Sequence, residues 1–360
     1  MTTPPDEDSN LLRQQRLQKL DRIRQSGVDP WPSRFARTHT SRQAREAFEA
    51  DESSRRNLSL AGRLVALRVM GKLSFGQILD GAGRLQVSFQ IDDFGDRYEE
   101  LRNLDLGDFV GVQGYMWRTQ RGEITLRVLD WQLLAKSLRP LPEKWHGLQD
   151  PEKRYRQRYL DLIANQAVRE VFAKRTQIVR GVRAFLDERG YVEVETPALQ
   201  PIYGGAAARP FTTHHHALDR DLFLRISDEL YLKRLIVGGY DKVYELAKDF
   251  RNEGIDATHL QEFTMIELYE AYADLGDMLG LMEELLRSLA CQLSADGRID
   301  YDGQTIDYSG PFQRSTWHEA LERWAQLDVL ESPDEALAEK AHLPVSAGRG
   351  KLLDELHKLY

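Results

Sequence analysis

Between Phe250 and Asp274 the chain reads FRNEGIDATHLQEFTMIELYEAYAD, which places Arg251, Glu253, His259, Glu262, Glu267 and Tyr269 within a short span. A guanidinium, an imidazole, several carboxylates and a phenol at this density are the means to hold a small, charged, phosphate-bearing ligand. The competing reading is a solvated hairpin face. Two strand-like runs flank a polar, glycine-containing loop: DKVYEL from Asp241, running through Phe250, and EFTMIELY from Glu262 to Tyr269. Period-two alternation puts Phe263, Met265, Glu267 and Tyr269 on one face and Thr264, Ile266 and Leu268 on the other. A strand that buries the first set must give each polar group a partner.

The elements around this hairpin sort into regions. At 360 residues the chain exceeds one ordinary core, and its 41% hydrophobic content supports two domains with a terminal extension. No apolar run approaches a membrane span, and MTTPPDEDSN resembles neither a secretory signal nor a transit peptide. Cys291 is the one cysteine, which excludes internal disulfides and cysteine-based zinc sites and fits a reducing cytoplasm. The net charge of −8 is uneven: residues 1–150 hold 23 basic and 21 acidic side chains, residues 151–360 hold 26 and 36. Nucleic acid, if bound, belongs with local patches of the first half.

Residues 1–9 read as disordered, and Asn10 to Gln25 as a helix whose basic face is either solvated or in reach of a phosphate backbone. A second polar helix is expected from Ser41 to Glu52. Residues 58–135 hold five strand-like runs with a short helical stretch, Gly95 to Leu104, after the third. That is the order of an OB-fold, whose open face commonly binds oligonucleotides. Phe75 and Gln86 fall on its second and third strands, where Phe75 either stacks a base or belongs to the core. Residues 136–160 read as a connector containing Pro140 and Pro142. From there an α+β domain built on an antiparallel sheet is expected over 161–360, with helices at 165–189, 228–237 and 275–294. Histidines 214–216 form one metal-ligand set poorly, because consecutive strand residues point to opposite faces. Gly348-Arg349-Gly350-Lys351 lacks phosphate-loop spacing.

From Leu58 to Tyr360 the order of pieces and their residues resembles the class II lysyl-tRNA synthetases. The segments that carry the likeness are GRLVALRVMGKLSF, LRPLPEKWHGLQDPEKRYRQRYLDLI, YVEVETP, GGAAARPFTTHH, LRISDELYLKRLIVGGYDKVYE and FRNEGI…EFTMIELY. The resemblance implies an N-terminal OB-fold that binds the anticodon, followed by a class II antiparallel-sheet catalytic domain. It implies ATP-dependent activation of lysine and its transfer to tRNA(Lys), in a cytoplasmic homodimer, with magnesium. By position, Arg251 matches the phosphate-binding arginine of catalysis, and Asn252, Glu253, His259 and Phe263 match further ATP contacts. Gly205, Glu229, Glu267 and Tyr269 match the lysine pocket, and Pro197 the dimer-building first motif. Read without the resemblance, Glu229 is an ordinary first-turn acid with Ser227 as N-cap, and Gly204-Gly205 a flexible turn. Arg68, Phe75, Gln86 and Glu123 match the anticodon contacts and suit a uridine-rich triplet.

Two departures stand out. Where the family reads His-Asn-Pro-Glu-Phe, this chain has His259-Leu260-Gln261-Glu262-Phe263, losing one polar ATP contact. The family also continues past the position of Tyr360 into two acidic magnesium ligands and a third, arginine-bearing motif. The expectation is therefore a fragment or truncated relative, poorly soluble and unable to form lysyl-adenylate, whose OB domain could still bind tRNA.

Overall fold

The computed structural model describes residues 7–141, 148–256 and 259–359. Of the disorder expected over 1–9, residues 1–6 lie outside the described residues, as does Pro142, whereas Glu7, Asp8 and Ser9 are helical and correct it. The chain forms two compact units, residues 1–170 and 171–360.

In the first unit, α1 (Glu7–Gln25) and α2 (Ser41–Ala50) precede the barrel. Thr40 and Gln43 cap α2 reciprocally, satisfying donors that its first turn would otherwise leave open. Two basic side chains of α1 are used within the unit, while Arg13, Arg22 and Arg24 stay exposed. Arg16 donates to the carbonyls of Leu106, Ser137 and Arg139, and Lys19 pairs with Asp105 at 2.7 Å.

The barrel strands are β1 (Leu58–Arg68), β2 (Leu73–Leu79), β3 (Arg84–Gln90), β4 (Phe109–Arg118) and β5 (Ile124–Ala135). They close in the order β1-β2-β3-β5-β4, with β3 and β5 parallel. Between β3 and β4, helix α3 (Ile91–Phe94) runs into a 3-10 helix over Gly95–Asn103. Leu60, Leu64, Ile78, Val87, Phe89, Val112, Leu126 and Val128 fill the barrel, as inward alternation requires. Gly114 sits where β4 crosses β5 so closely that a Cβ would overlap the carbonyl oxygen of Arg127. Two short helices, α4 (Pro151–Arg156) and α5 (Arg158–Ala164), surround the buried carboxylate of Asp161, which Arg154, Arg158 and Asn165 bind.

Helix α6 (Gln166–Asp187) leads into the second unit. There follow β6 (Val192–Glu193), β7 (Leu199–Gln200), β8 (Thr212–His215), β9 (Arg220–Leu224) and α7 (Glu229–Val237). The hairpin is β10 (Lys242–Phe250) with β11 (Glu262–Glu270), and α8 (Leu275–Leu293) comes after it. The sheet order is β11-β10-β6, with β6 parallel to β10, so the sheet is mixed rather than wholly antiparallel. A second sheet, β7-β9-β8, is antiparallel. The remainder is a small hairpin, β12 (Arg298–Tyr301) with β13 (Gln304–Asp307), and three helices, α9 (Trp317–Ala325), α10 (Asp334–Ala341) and α11 (Arg349–Leu359), around a core of their own.

Register explains how the hairpin is used. Tyr244 lies opposite Leu268 and Leu246 opposite Ile266; Tyr244, Ile266 and Leu268 pack with Phe185, Leu186 and Leu285 of α6 and α8. The alternate residues, Glu245 opposite Glu267 and Asp249 opposite Phe263, face the other way, towards α7. Apolar packing on one face thus fixes the polar face.

Candidate active site

Glu267 is the centre of that polar face. Its Oε1 accepts from the Ser227 hydroxyl at 2.6 Å and the Asp228 N–H at 3.2 Å, and its Oε2 accepts from the Tyr269 hydroxyl at 3.2 Å. The Asp228 N–H belongs to the start of α7, where free donors and the helix dipole favour a carboxylate. Burial pushes the Tyr269 phenol well above its usual range, with the fields of Glu267 and Glu229 adding to the shift, so it stays a donor. The expected N-cap needs correction: Asp228 occupies that position and makes no side-chain cap bond. Ser227 does accept from the Glu229 N–H at 3.1 Å, but its own proton goes to Glu267.

Gly205 lies against the same corner, at φ +89°, where a Cβ would come within 2.6 Å of Ser227 Oγ and 2.8 Å of Glu229 Cβ. Glycine is needed here both for the backbone angle and for the approach. Glu229 is half-buried and pairs with Lys233 at 2.8 Å, and the Lys233 ammonium stands 5.8 Å from the Tyr269 ring centre. Gly205, Glu229, Glu267 and Tyr269 therefore surround one place.

Arg251, just past β10, donates from Nε and Nη2 to the Ile226 carbonyl at 3.4 Å, and its guanidinium stacks 5.1 Å from the centre of the Phe263 ring. The stack fixes a planar cation beside a half-buried aromatic face. Asn252 is tied through its backbone N–H to the Arg209 carbonyl at 2.7 Å, and Glu253 through its own to Arg251. The side chains of Asn252, Glu253 and His259 are exposed, with His259 hydrogen-bonded to Asp256. The loop residues do not join the polar face; Arg251 and Phe263 do.

Sequence reasoning missed the layer behind Glu267. Arg225 is buried and bonds Glu245 at 2.7 Å, while Thr196 donates to Glu245 through its N–H at 3.1 Å and its hydroxyl at 2.6 Å. Asp228 and Asp249 are wholly buried, and with Glu267 they offer oxygens within 4.8 Å of one another. The signal was present: Glu245, Ala247 and Asp249 alternate along β10, but only the register sets Glu245 opposite Glu267. This trio does not fit a hydrated magnesium ion. Both aspartates are closed to solvent, and Arg225 already supplies positive charge 3.2 Å from Asp228 and 3.5 Å from Asp249. At His214 the ring nitrogens face Asp221 and Asp219, and among the described residues no histidine enters a metal-holding group.

In the first unit the four anticodon candidates fall on the outer barrel surface. Arg68 is exposed and lies directly opposite Phe75, which is half-exposed on the outward face of β2 rather than in the core. Phe75 pairs with Ser88, one step along the same face from Gln86. Gln86 sits between Gln77 and Thr125 and donates to Thr125 Oγ1 at 2.8 Å. Glu123 is exposed in the β4–β5 turn. Pro197 is exposed after β6, and its carbonyl accepts from Gln200.

Known proteins match both units. Residues 150–344 match the family described as tRNA synthetases class II (D, K and N), and residues 58–134 match the OB-fold nucleic acid binding domain. The chain belongs to the class II tRNA synthetases. Among this family's curated members it is 49% identical to a "Lysine--tRNA ligase" of Clostridium novyi, over 92% of the chain and 65% of that protein. It is 50% identical to a "Lysine--tRNA ligase" of Pelotomaculum thermopropionicum, over 92% of the chain and 66% of the relative. The protein of that name from Roseiflexus castenholzii is 50% identical over 98% of the chain and 74% of its own length. The chain thus spans just under two thirds of the length of the first two relatives.

Proposed function

We propose that the chain carries the lysine- and ATP-binding hairpin of a lysine–tRNA ligase, which activates lysine as lysyl-adenylate and transfers it to tRNA(Lys). The observation that carries this reading is the cage around Glu267. A half-buried carboxylate held by Ser227, the α7 N-terminus and Tyr269 is a rigid receptor for an ammonium at the end of an aliphatic stem. A neutral side chain in that place would leave the acid unpaired. Glu229 beside Gly205 is suited to the substrate α-amino group. The names of the relatives agree with lysine as substrate.

For activation, the lysine carboxylate attacks the α-phosphorus of ATP, and pyrophosphate leaves. Negative charge builds on the phosphoryl oxygens, and Arg251, fixed against Phe263 and the Ile226 carbonyl, is placed to oppose it. The exposed part of Phe263 offers a surface for adenine. Glu253, Asn252 and His259 belong to this reading as loop groups that close on the nucleotide. Magnesium would accompany the ATP phosphates.

Arg68, Phe75, Gln86 and Glu123 are assigned to the anticodon, by stacking and edge hydrogen bonds. A homodimer in the cytoplasm completes the reading. It is supported by exposed apolar side chains close to Pro197, among them Leu199 and Ile202 at 47% and 67% exposure. Among the described residues no helix is long and apolar enough to cross a membrane.

Lysine-dependent pyrophosphate exchange by the chain tests the proposal, and its appearance would overturn the expectation that the chain forms no lysyl-adenylate. Glu267→Gln keeps the shape and removes the charge, and should lower exchange on the order of 100-fold, the worth of a charge-assisted hydrogen bond in a partly dry site. Exchange unchanged in that variant would overturn the pocket assignment.

A further inference from the structure

Behind Glu267 the pocket holds more negative charge than its neighbours balance. Asp228, from the start of α7, and Asp249, from β10, are both fully buried and lie close enough to hydrogen-bond each other, and no donor from another described residue reaches any of their four carboxyl oxygens. Arg225 is the nearest cation, but it is committed to Glu245 at 2.7 Å. It stands 3.2 Å from Asp228 and 3.5 Å from Asp249 without hydrogen-bonding either. Tyr269 and Ser227 spend their protons on Glu267, Thr196 donates to Glu245, and Lys233 serves Glu229. Arg251 turns its guanidinium to the Ile226 carbonyl and the Phe263 ring and acts on Asp249 only through its field.

Carboxylates this close, sealed from water, cannot all stay ionised cheaply. We infer that Asp228 and Asp249 share a proton behind Glu267 and release it when a substrate ammonium docks there, so that lysine binding is coupled to proton loss. The inference rests on the lysine reading and adds two positioning residues to it. Burial is the main force raising both carboxyls; neighbouring carboxylates add to it, Arg225 opposes it at both, and Arg251 opposes it at Asp249 as well. An ammonium on Glu267 brings a positive charge into the same cluster, whose oxygens lie within 4.8 Å of one another. That favours the ionised pair, and the proton passes to solvent. The empty pocket then carries one charge less, which limits self-repulsion, and the filled one regains full attraction for a cation. A neutral amino acid cannot expel the proton and forgoes that gain.

Calorimetric titration of L-lysine into the full chain, near pH 7 in two buffers of different ionisation enthalpy, counts the protons. The expected result is release of about one proton per lysine, with affinity tightening up to about tenfold per pH unit while the pair holds its proton. Asp228→Asn and Asp249→Asn, which imitate a permanently protonated acid, should each bind lysine with little proton release and a flat pH profile. Lysine binding without proton release in the unaltered chain overturns the inference and leaves the lysine reading intact, as does release that persists in both variants. Absence of any lysine binding overturns the lysine reading itself, and this inference with it.

Discussion

At the scale of single residues, carboxylates in different surroundings pull stability in opposite directions with pH. Asp228 and Asp249 have raised pKa values in the fold, so between the ordinary carboxylate range and those raised values the folded chain binds more protons than the unfolded one. Their contribution to stability is present at acid pH and is lost as pH rises through the folded values. Asn at either position removes that loss. The melting temperature of Asp228→Asn or Asp249→Asn should fall less than that of the unaltered chain between pH 5 and pH 8, a shift that scanning calorimetry reads directly. Asp105 behaves in reverse. Burial alone would raise it, but Lys136 at 2.6 Å and Lys19 at 2.7 Å outweigh burial and hold it low. Its stabilisation is full above the usual carboxylate range and disappears as pH falls through the depressed value. Residue types near Glu267 were legible in the chain, since Arg251, Glu267 and Tyr269 share one short motif. Asp228 was not, because a first-turn acid on a helix looks the same whether it faces water or a second carboxylate.

At the scale of elements, the hairpin is the decisive piece. Its alternation is visible in the sequence, and its packing against α6 and α8 through Tyr244, Ile266 and Leu268 forces the Glu245–Glu267 face to the other side. The N-terminus of α7 then meets that face, because Ser227 and Asp228 both bond to Glu267. Gly205 seals the corner. Gly205→Ala places a methyl 2.6 Å from Ser227 Oγ at φ +89°, and should weaken lysine binding about tenfold by displacing the serine. Calorimetric affinity measures that loss, and unchanged affinity would mean that Ser227 does not position Glu267. In the first unit the equivalent close approach is Gly114 against the Arg127 carbonyl. A methyl there meets backbone, which cannot rotate away. Gly114→Ala should destabilise the barrel by about 2–4 kcal/mol while leaving lysine binding unchanged. Thermal unfolding with and without lysine separates the two effects.

At the scale of the whole molecule, two compact units each carry a core, and each carries one candidate surface. The barrel's outward face offers Phe75, half-exposed, with Arg68 directly across and Gln86 one step along. Base stacking on an aromatic ring is worth about 1–3 kcal/mol. Phe75→Ala should therefore weaken tRNA(Lys) binding on the order of 10- to 100-fold and leave lysine-dependent pyrophosphate exchange untouched. Filter binding and exchange assays check the two halves, and a parallel loss of both would show that Phe75 supports the fold instead. The uneven charge agrees with this division, since the acidic excess lies in residues 151–360 and the first half is close to neutral.

The sequence alone determined the five-strand barrel, the two-faced hairpin and the family to which these belong. Those are local properties: alternation, turn residues, and long motifs whose side chains lie close together along the chain. It could not say whether Phe75 was core or surface, because a strand's pattern leaves open which face turns inward. Nor could it show that Ser227 spends its proton on Glu267, or that Asp228 and Asp249 converge behind it from α7 and β10. Those facts depend on strand register and on where a helix begins in space. A shift of one residue in the hairpin would turn every one of its polar side chains to the opposite face.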